Sequence, residues 1–165
     1  MAMLHFDRHT FEHGCAFLEA SYLINATGYH SESLVRAVNQ IFAIEIFLKS
    51  MLVKIKPPQQ DSLKRNANYN KMDNRILRPQ RIFPKNGHNL FIVFEKLDSS
   101  LKSKLNSSYS NNHSETLSEA LGKIGDAFTI IRYAYEDRKE PFQFSGIQIE
   151  EIANFLMKFI SEEQN

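Results

Sequence analysis

The stretch SLVRAVNQIFAIEIFLKSMLVKIK, residues 33–56, decides the fold of this chain. Its apolar residues recur at the spacing of an α-helix and form one stripe, which consists of Leu34, Val38, Ile41, Leu48 and Leu52. Phe42, Ile46 and Phe47 make its other sides apolar as well, and such a helix is usually buried by several neighbours. The stretch therefore predicts a central helix, capped by Ser31 or Ser33. It should end near Ile55, because a proline pair follows.

Glu45 interrupts this apolar stripe at a position where the helical spacing calls for another leucine. Lys49 follows one helical turn later and can reach it. A buried carboxylate without a partner is very costly, since it loses its hydration. The sequence therefore predicts that Glu45 is paired with other polar groups.

Composition places the chain among single-domain globular proteins. It has 165 residues, of which 42% are hydrophobic, with 20 basic against 19 acidic side chains. This length is enough for a real core, and the near-neutral charge indicates no particular partner. The single cysteine, Cys15, lies on an apolar stripe and excludes an internal disulfide. We see no signal peptide and no membrane-spanning run, so we expect a cytoplasmic protein.

Four further segments have helical spacing: residues 6–27, about 86–105, 115–136, and a short helix around 149–159. Their apolar stripes consist, in chain order, of Phe11, Cys15, Leu18, Tyr22 and Ala26; of Leu90, Phe94, Leu97 and Leu101; of Leu117, Leu121, Ile124, Phe128, Ile131 and Tyr135; and of Ile149, Ile152, Leu156 and Phe159. A polar loop, residues 106–114, should separate two of them. No stretch of real length alternates with the period of a β-strand. The sequence therefore predicts one all-α domain over residues 1–165, an antiparallel bundle of about five helices.

Residues 57–86 are predicted to be a long irregular loop, rich in Asn, Gln and Pro. From Lys54 to Lys85 there are nine basic and two acidic residues, a local net charge of +7. One interpretation is a solvated loop, which we slightly favour, since a charge cluster is a weak signal. The other is an arm that contacts phosphates, with Tyr69 available for stacking. The candidate nucleic-acid-binding residues are Lys64, Arg65, Arg75, Arg78, Arg81 and Lys85.

Three segments together resemble the HEPN-domain superfamily. AVNQIFAIEIFLKSML (37–52) is similar to its helix with an A-x(6)-E-x-x-L-K pattern. GHNLFIVFEKL (87–97) is similar to its G-H-[DN]-L helix start, and FTIIRYAYE (128–136) to its R-Y-x-[YF]-E helix end. The order and spacing agree with the family. The resemblance implies an antiparallel helical bundle that often forms homodimers in prokaryotic toxin–antitoxin or phage-defence systems.

Many members of that family are metal-independent ribonucleases that use an Arg-x(4–6)-His motif at the dimer interface. In this chain no histidine follows Arg132, because the last one is His113. Two pairs have the right number of residues between Arg and His, namely Arg8 with His13 and Arg81 with His88. They lie elsewhere than the family's motif, so the resemblance does not carry ribonuclease activity to this chain.

The three segments would bring one polar cluster together, and we consider two interpretations of it. Its members are Glu45, Lys49, His88, Arg132 and Glu136, with Tyr133 and Tyr135 nearby. We favour a buried ion-pair network that fixes the packing of the helices. The alternative is a catalytic site of His88, Arg132 and Glu136, in which Arg132 binds phosphate and His88 moves a proton.

Three histidines near the start of the chain, His5, His9 and His13, would share one face of a helix. Imidazoles bind Zn²⁺ or Ni²⁺, but no cysteine or carboxylate completes a recognisable ligand set. We therefore interpret them as a polar face and expect no metal and no cofactor.

Two functions of different classes remain. The first is a non-catalytic HEPN-like module that dimerises and binds RNA, a nucleotide or a protein, with an antitoxin or a nucleotidyltransferase as candidate partner. The second is a ribonuclease with a non-standard Arg/His site. The homodimer is expected from the resemblance and from the 13 phenylalanines, which are many for one small bundle.

Overall fold

The structure is a computed structural model that describes residues 6–24, 30–55, 79–81, 88–133 and 145–163. The fold is mainly helical, so the all-α class is confirmed. The described helices are α1 (Arg8–Leu23), α2 (His30–Ser50), α3 (Leu90–Glu95), α4 (Ser99–Ser110), α5 (Leu117–Lys123), α6 (Ala127–Tyr133) and α7 (Gly146–Glu162). Two short strands, β1 (Val53–Ile55) and β2 (Pro79–Arg81), pair with each other.

Helix α2 lies at the centre of the packing, as its sequence predicted. It contacts α1, α3, α6 and α7. Ile41, Ile44, Phe47 and Leu48 are fully buried, and these residues lie on more than one side of the helix. Burial of apolar side chains is the main source of stability for a helix in a folded protein. Helix α2 is apolar on several sides, and it is stabilised because each of these sides packs against a neighbour.

Helix α1 packs closely against α2 and is fixed at its start. The carboxylate of Asp7 accepts a hydrogen bond from the backbone N–H of Thr10, and the Asp7 N–H donates to the Ser50 carbonyl at 2.8 Å. A Cβ atom added to Gly14 would lie 2.6 Å from the ring of Phe47. Because Gly14 has no side chain, the two helices can approach each other closely at this point.

The predicted end of the central helix near Ile55 is wrong. Helix α2 ends at Ser50, and β1 pairs with β2 in antiparallel register, with Val53 opposite Arg81 and Ile55 opposite Pro79. β-branched Val53 and Ile55 favour an extended backbone. The prediction of a wholly irregular segment 57–86 is also corrected, because residues 79–81 form β2. The predicted caps Ser31 and Ser33 lie inside the helix, which already includes His30.

Two of the predicted helices are each divided in the structure. The segment 86–105 contains α3 and the start of α4, because Asp98 accepts a hydrogen bond from the Ser100 N–H and caps a new helix. Helix α4 then continues to Ser110, into the predicted polar loop, because Tyr109 follows Leu105 by one turn and both are buried. This is why the described residues hold seven helices instead of about five.

The segment 115–136 contains α5 and α6, separated by residues 124–126. A capping box of Thr116 and Glu119 begins α5. The end of this segment, with Tyr135 and Glu136, lies outside the described residues. The predicted apolar stripe is nevertheless buried at Leu117, Leu121, Ile124, Phe128 and Ile131.

Helix α7 completes the packing on α2. Ser145 caps its start, and its predicted stripe is buried at Ile149, Ile152, Leu156 and Phe159. Arg36 of α2 donates to the Glu150 carboxylate of α7 at 2.8 Å. Helix α1, Arg8–Leu23, is shorter than the predicted helix over residues 6–27. Its Tyr22 is 40% exposed and not buried as the stripe predicted, and the Tyr22 hydroxyl donates to Asn154 of α7.

Candidate functional site around Glu45 and His88

Glu45 is buried in the packing of α2, with 4% of its surface exposed. Lys49 donates to its Oε1 at 2.5 Å from the next turn of the same helix. The prediction that this carboxylate needs a partner is therefore confirmed. The side chain of Lys49 is 17% exposed, so its ammonium group lies close to the boundary between core and solvent.

His88 reaches the second oxygen of the same carboxylate from the start of α3. Its Nδ1 lies 3.3 Å from Glu45 Oε2, while 61% of its side chain is exposed. The imidazole ring stacks on the ring of Phe128 in α6, with centroids 5.0 Å apart. One face of the ring is thus supported, and the rest of the side chain faces solvent.

This contact determines which ring nitrogen of His88 is available to a ligand. A carboxylate only accepts hydrogen bonds, so the tautomer with a proton on Nδ1 fits the contact with Glu45. Nε2 then carries a lone pair in the neutral ring and an N–H when the ring is protonated. A buried carboxylate that orients an exposed imidazole can support phosphate binding or proton transfer.

The backbone beside His88 is held by Asn89. Its side-chain oxygen accepts from the Ile92 N–H at 2.9 Å and caps α3, while its Nδ2 donates to Asp126 at 2.7 Å. The backbone N–H of Leu90 donates to the Gly125 carbonyl at 3.1 Å. The start of α3 is therefore tied to the connection between α5 and α6, which positions the His88 ring over Phe128.

Sequence reasoning did not find these roles of Asn89, Gly125, Asp126 and Phe128. Phe128 belongs to the predicted stripe and is buried, with 6% of its surface exposed, but its ring also supports His88. Asn89 lies within the G-H-N-L segment, and an Asn just before an apolar run is a recognised cap signal. That signal could have identified the cap, whereas nothing local predicts the bond to Asp126.

Arg132 and Tyr133 lie in α6, but their side chains are outside the part of the structure that is described. Arg132 follows Phe128 by four positions in the sequence of α6. The structure thus joins Glu45, Lys49 and His88, and it leaves the roles of Arg132, Tyr133, Tyr135 and Glu136 as predictions.

Of the basic segment, residues 54–85, the structure describes only residues 54, 55 and 79–81. Arg81 lies in β2, opposite Val53. The other candidate nucleic-acid-binding residues and Tyr69 fall outside the described residues, namely Lys64, Arg65, Arg75, Arg78 and Lys85. Their contact with phosphates remains a prediction.

No family model matches the chain, and no curated protein or solved structure matches it either. Within the described ranges, no group of three or more His, Cys, Asp and Glu side chains is arranged to hold a metal ion. No described helix combines the length and the apolar character that a membrane crossing requires.

Proposed function

We propose that this chain is a HEPN-like helical domain that forms a homodimer and binds a phosphate-bearing ligand, RNA or a nucleotide, on the surface around His88. In this proposal it is a non-catalytic binding module of a prokaryotic defence or toxin–antitoxin system and acts in the cytoplasm. The observation that carries the proposal is the exposed His88 ring, which stacks on Phe128 and whose Nδ1 contacts the buried Glu45 carboxylate.

The geometry supports an anion-binding role because this imidazole is both oriented and accessible. Glu45 and Phe128 restrict the ring, so less conformational entropy is lost when a ligand binds. When it is protonated, Nε2 donates to a phosphate oxygen while Nδ1 keeps its contact with Glu45. Lys49 adds a second cationic group on the other oxygen of the same carboxylate.

The strand pair supports a contribution from the basic segment. Val53 follows Lys49 by four residues and therefore lies at most ~14 Å from it along the chain. Arg81 is its partner in the strand ladder. The strand pair, at which the chain enters and leaves residues 56–78, therefore follows the end of α2 that carries Glu45 and Lys49. It belongs to the segment 54–85, whose local net charge is +7.

Two further observations support the HEPN-like and dimeric parts of the proposal. The three segments that carry the resemblance begin or lie in α2, α3 and α6, and α2 contacts both other helices. The same three helices carry large apolar side chains that are 38–49% exposed, Val35, Phe91 and Ile130. A second copy of the chain would cover such side chains, and light scattering at tens of micromolar measures the expected dimer mass.

The binding test is fluorescence anisotropy with a labelled single-stranded RNA at ~50 mM salt, where phosphate contacts are strong. We expect His88→Gln to weaken binding at least ~10-fold, or ~1.4 kcal/mol. Lys158→Gln is the matched control, because Lys158 is a 74% exposed cation on α7, and we expect it to bind like the parent. If neither RNA nor nucleotides bind at low salt, the proposal is wrong.

The basic segment is tested by salt dependence. Replacing Arg75, Arg78 and Arg81 with Gln should reduce the slope of log K against log salt by up to ~2, because each phosphate contact on a single strand contributes about 0.7. An unchanged slope would show that the segment is an ordinary solvated loop, even if His88 contributes to binding.

A ribonuclease is the second candidate, and one observation favours it. The carboxylate–imidazole pair of Glu45 and His88 leaves Nε2 directed away from the carboxylate, as a general acid or base requires. Under this candidate the parent cleaves RNA in EDTA, and His88→Gln abolishes turnover while the melting temperature is retained. Binding without cleavage would support the non-catalytic module.

A further inference from the structure

The exposed face of α1 brings two imidazole nitrogens together. His9 and His13 are both exposed, and their Nε2 atoms lie 3.2 Å apart. Their ring centroids are 4.5 Å apart, so the two side chains converge on one point outside the helix. This pair lies on a different helix from the Glu45–His88 site and has no part in the proposed function.

The separation of the two nitrogens matches that of two ligands on one metal ion. Zinc–nitrogen bonds are about 2.0–2.1 Å long, so two nitrogens at a tetrahedral angle lie ~3.3–3.4 Å apart, and at a right angle ~2.9 Å. The observed 3.2 Å falls between these values. Without a metal, the same distance fits one N–H···N hydrogen bond between neutral rings.

We propose that His9 and His13 form a two-histidine clamp for a divalent transition-metal ion of the zinc class. Neutral imidazole suits such ions, and the helix places the two Nε2 atoms at the separation of two ligands on one ion. The carboxylate of Glu12 accepts from Arg8 at 2.9 Å, so we do not count it as a ligand. Since the clamp has two protein ligands, water or donor atoms of another molecule fill the other positions.

The clamp changes the sequence-based interpretation, in which these histidines were a polar face without metal. A sequence shows only that positions 9 and 13 share a helical face. The structure adds the distance between the two nitrogens and their exposure to solvent. Bound metal would join successive turns of α1 and stabilise the folded chain by mass action.

The test is calorimetric titration of the full, tag-free chain with Zn²⁺ alone. We expect one ion per chain, and at least ~10-fold weaker binding for His9→Gln and for His13→Gln. His88→Gln is the control, because it also removes an exposed imidazole, and its zinc affinity should equal that of the parent. Circular dichroism verifies that each variant is folded.

A second measurement follows the melting temperature with and without Zn²⁺. It should rise with zinc in the parent and in His88→Gln, and should not rise in His13→Gln. The absence of binding at 100-fold excess zinc, or equal binding by all variants, overturns the clamp. Loss of binding in His88→Gln alone would place the ion at His88 and also overturn it.

Discussion

The Nδ1 of His88 lies 3.3 Å from Oε2 of Glu45, so an exposed ring is joined to a carboxylate buried beside the core. The other oxygen, Oε1, accepts from Lys49. Glu45 therefore has two roles at once: it neutralises a partly buried lysine and it orients His88. A change at Glu45 should affect stability and the proposed ligand binding together.

The first prediction is that Glu45→Ala destabilises the fold by ~3 kcal/mol. Removing one partner of a buried ion pair typically costs about 3–5 kcal/mol, and the 17% exposure of Lys49 places this case at the lower end. Urea unfolding measures the free energy. Glu12→Ala is the control: Glu12 also has a partner four residues away, but its side chain is 56% exposed, so we expect a loss within about 1 kcal/mol.

The double variant Glu45→Met/Lys49→Met extends this prediction. It removes both charges and restores apolar volume, so it should be more stable than Glu45→Ala. If Glu45→Ala were as stable as the parent, the carboxylate would not be the structural partner that the burial indicates.

The second prediction is that Gly14→Ala destabilises the protein although alanine favours helices. The new Cβ would lie 2.6–2.7 Å from two carbons of the fully buried Phe47 ring, so the ring or the helix must move. Overpacking of this kind typically costs about 1–3 kcal/mol. The gain of about 1 kcal/mol in helix propensity offsets only part of it.

Gly122→Ala is the matched control, because Gly122 lies in α5 and nothing would approach its Cβ within 4 Å. We expect it to stabilise the protein by up to ~1 kcal/mol. Equal effects of the two substitutions, measured by urea unfolding, would contradict the close approach of α1 and α2.

The third prediction concerns Asn89, which caps α3 and donates to Asp126. Asn89→Asp keeps an oxygen for the cap but places a second carboxylate beside Asp126. We expect a loss of ~1 kcal/mol, because the hydrogen bond to Asp126 is lost and two carboxylates then face each other. Asn89→Asp/Asp126→Asn exchanges the two groups and should recover most of the loss. Thermal melting at pH 7 of the parent, the single variant and the double variant measures both effects.

The core was largely predictable from the sequence, because buried stripes follow from local spacing. The stripes at Leu90, Phe94 and Leu97 and at Ile149, Ile152 and Leu156 are buried as predicted. The helix boundaries were less predictable. Asp98 begins a new helix inside the predicted segment 86–105 through a side-chain hydrogen bond to the backbone, and such a cap competes with the continuation of a pattern.

Part of the candidate site was also predictable from local helical spacing. Lys49 is one turn from Glu45, and an i,i+4 pair follows from helical geometry. The supporting ring of Phe128 comes from a distant helix, so its position depends on tertiary packing that no local pattern records. The prediction that Arg132 belongs to the same cluster is not tested by the structure, which does not describe the Arg132 side chain.

The last prediction is a loss of stability at alkaline pH that depends on Tyr109. Burial, with the nearby charges of Glu115 and Glu151, raises the pKa of Tyr109 to about 12 from its ordinary value near 10. The unfolded chain therefore releases this proton first, so the contribution is complete below pH ~10 and is lost as the pH rises towards ~12.

Urea unfolding at several values between pH 9 and 11.5 measures this loss. Tyr109→Phe keeps the ring that stacks on His113 at 3.9 Å and removes the ionisable hydroxyl. Its free energy of unfolding should fall less steeply over this range than that of the parent, because the variant lacks the hydroxyl whose pKa folding raises. Equal slopes would show that the Tyr109 hydroxyl ionises at its ordinary pKa in the folded chain, and that the side chain is less buried than 1% exposure indicates.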